Sequence, residues 1–171
     1  MHINWRIPLL FIGTIIMVVV MGQTSAPLKT AARYKNIVWL ELAYNNQQTG
    51  NILNDWGSSN IEVLKINTYF DFIFIFFYAL FLFFACKKAA LICRSKIGMM
   101  IARGALWAGC LDVLENAGML ITLSGNSAEG IAFATALCSA VKLVLVIAAV
   151  VYLPGGIVQL LISGKMRLLF S

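Results

Sequence analysis

The sequence predicts an all-α polytopic membrane protein, built as a bundle of four transmembrane helices with a short helical extracytoplasmic loop. Its 171 residues are 61% hydrophobic and only 12% charged, whereas soluble chains are roughly 45–50% apolar and about 25% charged. Four runs are long and apolar enough to cross a hydrocarbon core of about 30 Å. None of them alternates polar and apolar residues as the strands of a membrane barrel do.

The predicted spans cover residues 5–22, 68–86, 99–123 and 131–153. The second is rich in phenylalanine but too long for a buried strand. The first has a basic start and the letters TSA before Pro27, so it also fits a cleavable secretory signal. Proline directly after the cut is unfavourable, and we expect the helix to be retained. Without a linker or repeat, we treat residues 1–171 as a single four-helix transmembrane domain.

Basic residues predict the orientation, because cytoplasmic loops are enriched in Lys and Arg. The loop between the second and third spans and the C-terminal tail are basic, with Lys87, Lys88, Arg94, Lys96, Arg103, Lys165 and Arg167. Both termini should therefore lie in the cytoplasm, and in a bacterium the membrane would be the inner membrane. The net charge of +6 is explained by these loops, and we expect no nucleic-acid partner.

The predicted outer loop, residues 23–66, contains two segments with helical patterns. In "TAARYKNIVWLELAY" the apolar residues Ile37 and Leu40 recur at helical spacing, and "QQTGNILNDWG" reads as a second short helix that Gly57 ends. One interpretation is a pair of interfacial helices capping the bundle. The other is a lid over an internal site, with Glu41 pointing into it.

The third span carries charges near its middle, in "LDVLENAGML". Asp112, Glu115 and Asn116 lie three or four residues apart and share one helical face. The same face continues through Ala105 and Ala108, small residues that allow another helix to approach closely. We therefore expect this face to point into the bundle.

Two other spans offer polar partners. Lys142 lies near the middle of the fourth span, at the depth of Asp112, while Asp71 and Tyr78 share a face of the second. A charged residue at the centre of a span costs about 2.5–3.5 kcal/mol on the insertion scale. Pairing of Asp112 with Lys142 would offset part of this cost, and such a pair can also be purely structural.

Acids outnumber bases in this set, and a buried excess carboxylate must either take a proton or find a cation. The sequence therefore predicts a binding site for a small cation, a proton or a polar lipid-like ligand, with the identity of any metal left open. The candidate binding residues are Glu41, Asp71, Tyr78, Asp112, Glu115, Asn116 and Lys142.

Several chemistries are excluded. The single histidine is His2, which leaves no His-ligated haem, zinc or di-iron centre in the bundle. The four cysteines form no C-x-x-C, and no nucleotide-binding, zinc-protease or serine-hydrolase motif occurs. We assign no cofactor and no catalytic residue.

The order of "WLELA", "ILNDW", "FDFIFIFFYAL", "LDVLENAGML" and a lysine in the last span resembles a functionally uncharacterised group of small bacterial four-helix integral membrane proteins. The resemblance covers residues 37–152, and L-D-x-x-E-N is its most distinctive element. It implies the same architecture and singles out Glu41, Asp71, Asp112, Glu115, Asn116 and Lys142. It implies no activity.

Three functional hypotheses remain open. In the first, Asp112 and Lys142 form a pair while Glu115 and Asp71 supply carboxylate to a ligand; transport would need a homo-oligomer or a partner membrane protein. In the second, the charges only fix helix packing in an accessory or assembly subunit of a larger complex. In the third, weaker one, Glu115 serves as the acid or base of a lipid-modifying enzyme.

Overall fold

The computed structural model describes residues 5–26, 33–126 and 128–162, with the backbone alone at 157 and 159–162. Within this part of the chain the structure is all-α and has no strand. Its helices are α1 (Arg6–Thr24), α2 (Val38–Glu41), α3 (Asn46–Cys93), α4 (Lys96–Leu123) and α5 (Glu129–Ile162). Four of them, all except α2, are long and apolar enough to cross a membrane. The predicted fold class is confirmed.

Each predicted span corresponds to one long helix of the structure, and the helices extend beyond the predicted bounds. Helix α3 continues past residue 86 to Cys93, and α5 continues past residue 153 to Ile162. Between α3 and α4 the chain reverses in two residues: Arg94 adopts a left-handed conformation with φ 52°, and the Ser95 side chain accepts the amide N–H of Gly98. This short turn fixes α3 and α4 as antiparallel neighbours.

Gly57 ends a short helix, as predicted, but no loop follows it. Its φ of 71° and ψ of 169° interrupt α3 at one residue, and the helix resumes at once toward the membrane span. These angles lie in a region that is essentially restricted to glycine. The residues 58–66, predicted as loop, are therefore helical.

The other prediction for this region, a helix over "TAARYKNIVWLELAY", is wrong for its described part. Only the single turn Val38–Glu41 forms, while residues 30–32 lie outside the described residues, as do Pro27, Lys165 and Arg167. The Asp55 carboxylate accepts the amide N–H groups of Arg33 and Tyr34 at 3.0 and 2.9 Å, and the Trp56 indole N–H donates to the Tyr34 carbonyl. These bonds replace the helical ones and tie the segment to α3.

The burial pattern is that of a membrane protein. Large apolar side chains are exposed around the bundle, among them Leu9, Trp107 and Val151, each at least 67% exposed. Polar side chains are buried inside it, including Asn116 at 0% and Asp112 at 3%. This inversion is stable only where the surrounding solvent is lipid.

Helices α3, α4 and α5 pack against one another, whereas α1, within the described part of the chain, packs against α3 alone. Two apolar clusters lie at different heights along α4: one includes Ala102 and Ala105, and the other includes Met119 and Leu123. Asp112, Glu115 and Asn116 occupy the interval between them. The second cluster also contains Leu40, so we call this end of the bundle the α2 end.

Candidate functional site

Three helices bring the predicted polar residues together, and we call this set the polar cluster. It consists of Glu41, Asp71, Tyr78, Asp112, Glu115, Asn116 and Lys142. Asp71 and Tyr78 come from α3, the three residues of the L-D-x-x-E-N element from α4, and Lys142 from α5. Glu41 approaches from α2.

Asp112 lies at the centre of the hydrogen bonding. Its Oδ1 accepts a hydrogen bond from Lys142 Nζ at 2.8 Å, and its Oδ2 accepts one from the Tyr78 hydroxyl at 2.6 Å. One carboxylate thus joins α3, α4 and α5. The predicted Asp112–Lys142 pair is confirmed. Tyr78, which shares a face of α3 with Asp71, takes part in the cluster through its hydrogen bond to Asp112.

Glu115 is buried completely but is less well satisfied. Lys142 Nζ lies 2.6 Å from Glu115 Oε2, close enough for an ion pair, yet the approach does not form a hydrogen bond. Among the described residues no group donates a hydrogen bond to either oxygen of this carboxyl. One ammonium group is therefore shared between two carboxyl groups and fully satisfies only one of them.

Asn116 connects the cluster to α3. Its Nδ2 donates to Asp71 Oδ2 at 2.7 Å, while its buried Oδ1 has no hydrogen-bond donor among the described residues. Because Glu115 directly precedes Asn116 on α4, Asp71 lies close to the level of Glu115, as predicted from the sequence.

A cavity of about 200 Å³ opens beside the cluster. Its polar lining consists of Glu41, Asn67, Thr68, Asp71, Asp112 and Lys142. We call it the acidic cavity, because three carboxyl groups face one ammonium group. If all were ionised, the lining would carry a net charge of minus two. A cavity of this size holds several water molecules or a small polar ligand.

Glu41 lines this cavity from outside the spans, which agrees with the lid interpretation of the loop. Burial raises the pKa of its carboxyl above the ordinary value, the nearby Lys142 ammonium opposes the rise, and the Asp112 carboxylate adds to it. Protonation of Glu41 is therefore coupled to the charge state of the residues below it.

Asn67 and Thr68 belong to the site but were not predicted from the sequence. They precede Asp71 by four and three residues and so lie on its helical face. Asn67 is 2% exposed, and its Nδ2 donates to the Met21 carbonyl at 3.0 Å and to Thr24 Oγ1 at 2.6 Å. It therefore anchors the end of α1 at the cavity.

The polar cluster contains one ammonium group among its carboxyl groups. In the described part of the chain, no three Asp, Glu, His or Cys side chains are arranged to hold a metal. The cluster does bind one alkylammonium, that of Lys142, with two carboxylates around it. Comparison with known proteins adds no further information, since no family model, curated protein or solved structure matches the chain.

Proposed function

We propose that this integral membrane protein binds a small positively charged ligand, an ammonium compound or a proton, in the acidic cavity. The observation that carries the proposal is the imbalance between Glu41, Asp71 and Asp112 and the single ammonium of Lys142. A low-dielectric site with excess carboxylate is stabilised by a proton or by a cation. Asp112 and Lys142 hold the helices together, and Asp71 and Glu41 face the ligand.

The proposed orientation places the acidic cavity toward the outer side of the membrane. The opposite end of the bundle, formed by the end of α3, the turn and the start of α4, carries Lys87, Lys88, Arg94, Lys96 and Arg103, and such basic ends face the cytoplasm. In a bacterium this membrane would be the inner membrane, and the ligand would come from the periplasmic side. Passage across the membrane would require an oligomer or a partner, because one bundle of four helices is small for a transporter.

Ligand-dependent unfolding tests the proposal. The detergent-purified protein is heated at several pH values with methylammonium, ethanolamine, Na⁺ or K⁺, and its unfolding is followed by tryptophan fluorescence. A ligand bound only by the folded state raises stability by RT ln(1 + [L]/Kd), about 2.7 kcal/mol at a hundredfold excess over Kd. We expect an amine or a pH change to shift the unfolding temperature.

Matched variants identify the site. Asp71→Asn should abolish the ligand-dependent shift, because it removes a carboxylate from the cavity lining. Glu62→Gln is the control, because Glu62 lies on the same helix but its side chain is 70% exposed and pairs only with Lys65. Equal shifts in both variants, or no shift with any cation or pH in the wild type, would contradict the proposal.

A second candidate is an accessory subunit whose charges serve only in assembly. The observation favouring it is that all three side-chain hydrogen bonds of the cluster join different helices: α3 to α4 twice, and α4 to α5 once. Under this hypothesis Asp112→Asn lowers the free energy of unfolding by the same amount with and without any ligand. An effect that depends on the ligand argues against it.

A further inference from the structure

A second cavity, of about 240 Å³, adjoins the acidic cavity. The two share Met21, Ile37 and Asn67 in their linings. The shared residues make the two cavities immediate neighbours, so the two ends of one short molecule that passes these side chains would reach both. We call the second one the donor cavity.

The donor cavity has the opposite chemistry. Its remaining polar lining comes from Ser25, Lys35 and Asn36, and among the described residues no carboxyl side chain contributes. Asn36 Oδ1 accepts the amide N–H of Val38 at 3.3 Å, so the amide NH₂ is the part of this side chain left to meet a ligand. A lysine ammonium, an amide NH₂ and a hydroxyl are together suited to an oxyanion such as a phosphate.

The donor cavity and the Glu41 side of the acidic cavity lie at the end of the bundle where lipid headgroups are expected, while Asp112 and Lys142 line the deeper part. Trp39, Tyr44 and Tyr69 surround the α2 end, each more than half exposed, and such rings concentrate at the headgroup level of a bilayer. Helix α1 packs against α3 alone, whereas α2 also reaches α4 and α5. In the described residues, helix–helix contact therefore does not seal the side of the bundle between α1 and α5.

The acidic cavity also has unmet hydrogen-bonding capacity directly behind its lining. Glu115 and Asn116 are both 0% exposed. Each retains an oxygen without a hydrogen-bond donor among the described residues, and each contacts a lining side chain, Lys142 or Asp71. These oxygens leave Lys142 and Asp71 as the groups through which the unmet capacity acts on the cavity.

We propose that the two cavities together bind a zwitterion consisting of a primary ammonium and a phosphate joined by a short spacer, as in a phosphoethanolamine group. The ammonium lies between Asp71 and Glu41, and the phosphate lies at Lys35, Asn36 and Ser25. This inference rests on the proposed function and adds the anionic half of the ligand. A quaternary ammonium is disfavoured, because it has no N–H to donate to the carboxylates.

Titrations of the intact, detergent-purified protein test the inference. The soluble probes are O-phosphoethanolamine, ethanolamine, phosphocholine and inorganic phosphate, and the lipid probes are short-chain phosphatidylethanolamine and phosphatidylcholine in mixed micelles. Binding is measured by calorimetry and by the shift of the unfolding temperature. We expect a phosphoethanolamine probe to bind most tightly, whether as the soluble compound or as the lipid, and this comparison distinguishes a free solute from a membrane lipid.

Two variants and a control locate the two halves of the ligand. Lys35→Gln should weaken phosphoethanolamine binding about ten- to hundredfold, the range for loss of one charged hydrogen-bond partner, and should leave ethanolamine binding unchanged. Glu41→Gln should weaken both. Lys96→Gln makes the same charge change at the opposite end of the bundle, where Lys96 is exposed, and should alter neither.

The two proposals fail in different ways. If ethanolamine binds as tightly as phosphoethanolamine and Lys35→Gln has no effect, the zwitterion is refuted while the cation site stands. If phosphocholine or phosphatidylcholine binds equally well, the requirement for a primary ammonium is refuted. If no amine binds and no pH effect appears, both proposals are refuted.

Discussion

Replacing Lys142 by methionine tests whether the buried carboxyl groups of Asp112 and Glu115 depend on its ammonium group. Methionine keeps the length of the side chain but removes the ammonium group. Asp112 and Glu115, 3% and 0% exposed, then lose their only cation among the described residues. Asp112 keeps the hydrogen bond from Tyr78, whereas Glu115 keeps none.

The expected loss is large because breaking a buried ion pair leaves uncompensated charge. Removing one partner of such a pair costs about 3–5 kcal/mol. By comparison, a hydrogen bond between membrane helices contributes about 0.6 kcal/mol on average and at most about 1.7 kcal/mol. Lys142→Met should therefore lower the free energy of unfolding by more than Tyr78→Phe does, although each substitution removes one hydrogen bond to Asp112.

The assay is reversible unfolding in mixed micelles, followed by tryptophan fluorescence, since Trp56 is 3% exposed when folded. Leu143→Met is the control, because it alters the neighbouring position on α5, which is 51% exposed. Adding Asp112→Asn and Glu115→Gln to Lys142→Met should restore most of the lost stability. If Lys142→Met lowers the free energy of unfolding by no more than the control does, the two carboxyl groups do not depend on the ammonium group, and our description of a buried ion network is wrong.

Three further predictions concern the backbone and the lid. Gly57→Ala should destabilise the protein by about 1–3 kcal/mol in the same unfolding assay, because alanine is strained at φ 71° and ψ 169°. Gly109→Ala should lower the free energy of unfolding by about 1–3 kcal/mol through overpacking, since the added methyl would lie 2.8 Å from the Ala79 side chain. Gly50→Ala, with open space around it, is the control. Glu41 should make the wild type less stable as pH rises from the ordinary glutamate pKa toward the raised pKa of Glu41 in the folded state. In that window the folded state binds more protons than the unfolded state. A pH series of unfolding experiments should show this loss of stability in the wild type and not in Glu41→Gln.

Each of these predictions can be contradicted directly. A Gly57→Ala variant as stable as the wild type would mean that the kink is not required. Equal effects of the Gly109 and Gly50 substitutions would contradict the close approach of α3 and α4. A pH dependence that is unchanged in Glu41→Gln would place the titrating group elsewhere.

The helices and the convergence of the polar residues could be predicted because each depends on local spacing. A run of apolar residues determines that a segment crosses the membrane, and positions three or four apart share a face whatever the tertiary structure. Charges on three such faces can be stabilised only by facing one another, since lipid offers no alternative. The meeting of Asp112 with Lys142, and of Asp71 with Asn116, follows from this constraint.

The connection before α3 could not be predicted in the same way, because contacts distant in sequence decide its conformation. Ile37 and Leu40 recur at helical spacing, yet Asp55 and Trp56 take up the backbone groups near Tyr34 that a helix would use. The donor cavity was also beyond reach, although an acidic site inside the bundle was predicted. It forms where the end of α1, residues 35–37 and α3 meet, and no periodicity in the sequence describes such a junction.

The length of α3 determines which bilayers suit this protein. After Gly57, residues 58–93 form a rod of about 54 Å, of which the apolar part, residues 69–86, accounts for about 27 Å. The rod therefore extends beyond the hydrocarbon on both sides, with Lys65 at one boundary and Lys87 and Lys88 at the other. In a thicker bilayer these lysines must extend their ammonium groups toward the interface, or the bilayer must become thinner around the helix. The match is thus best in a membrane slightly thinner than average, where the polar cluster keeps its depth without distortion of α3.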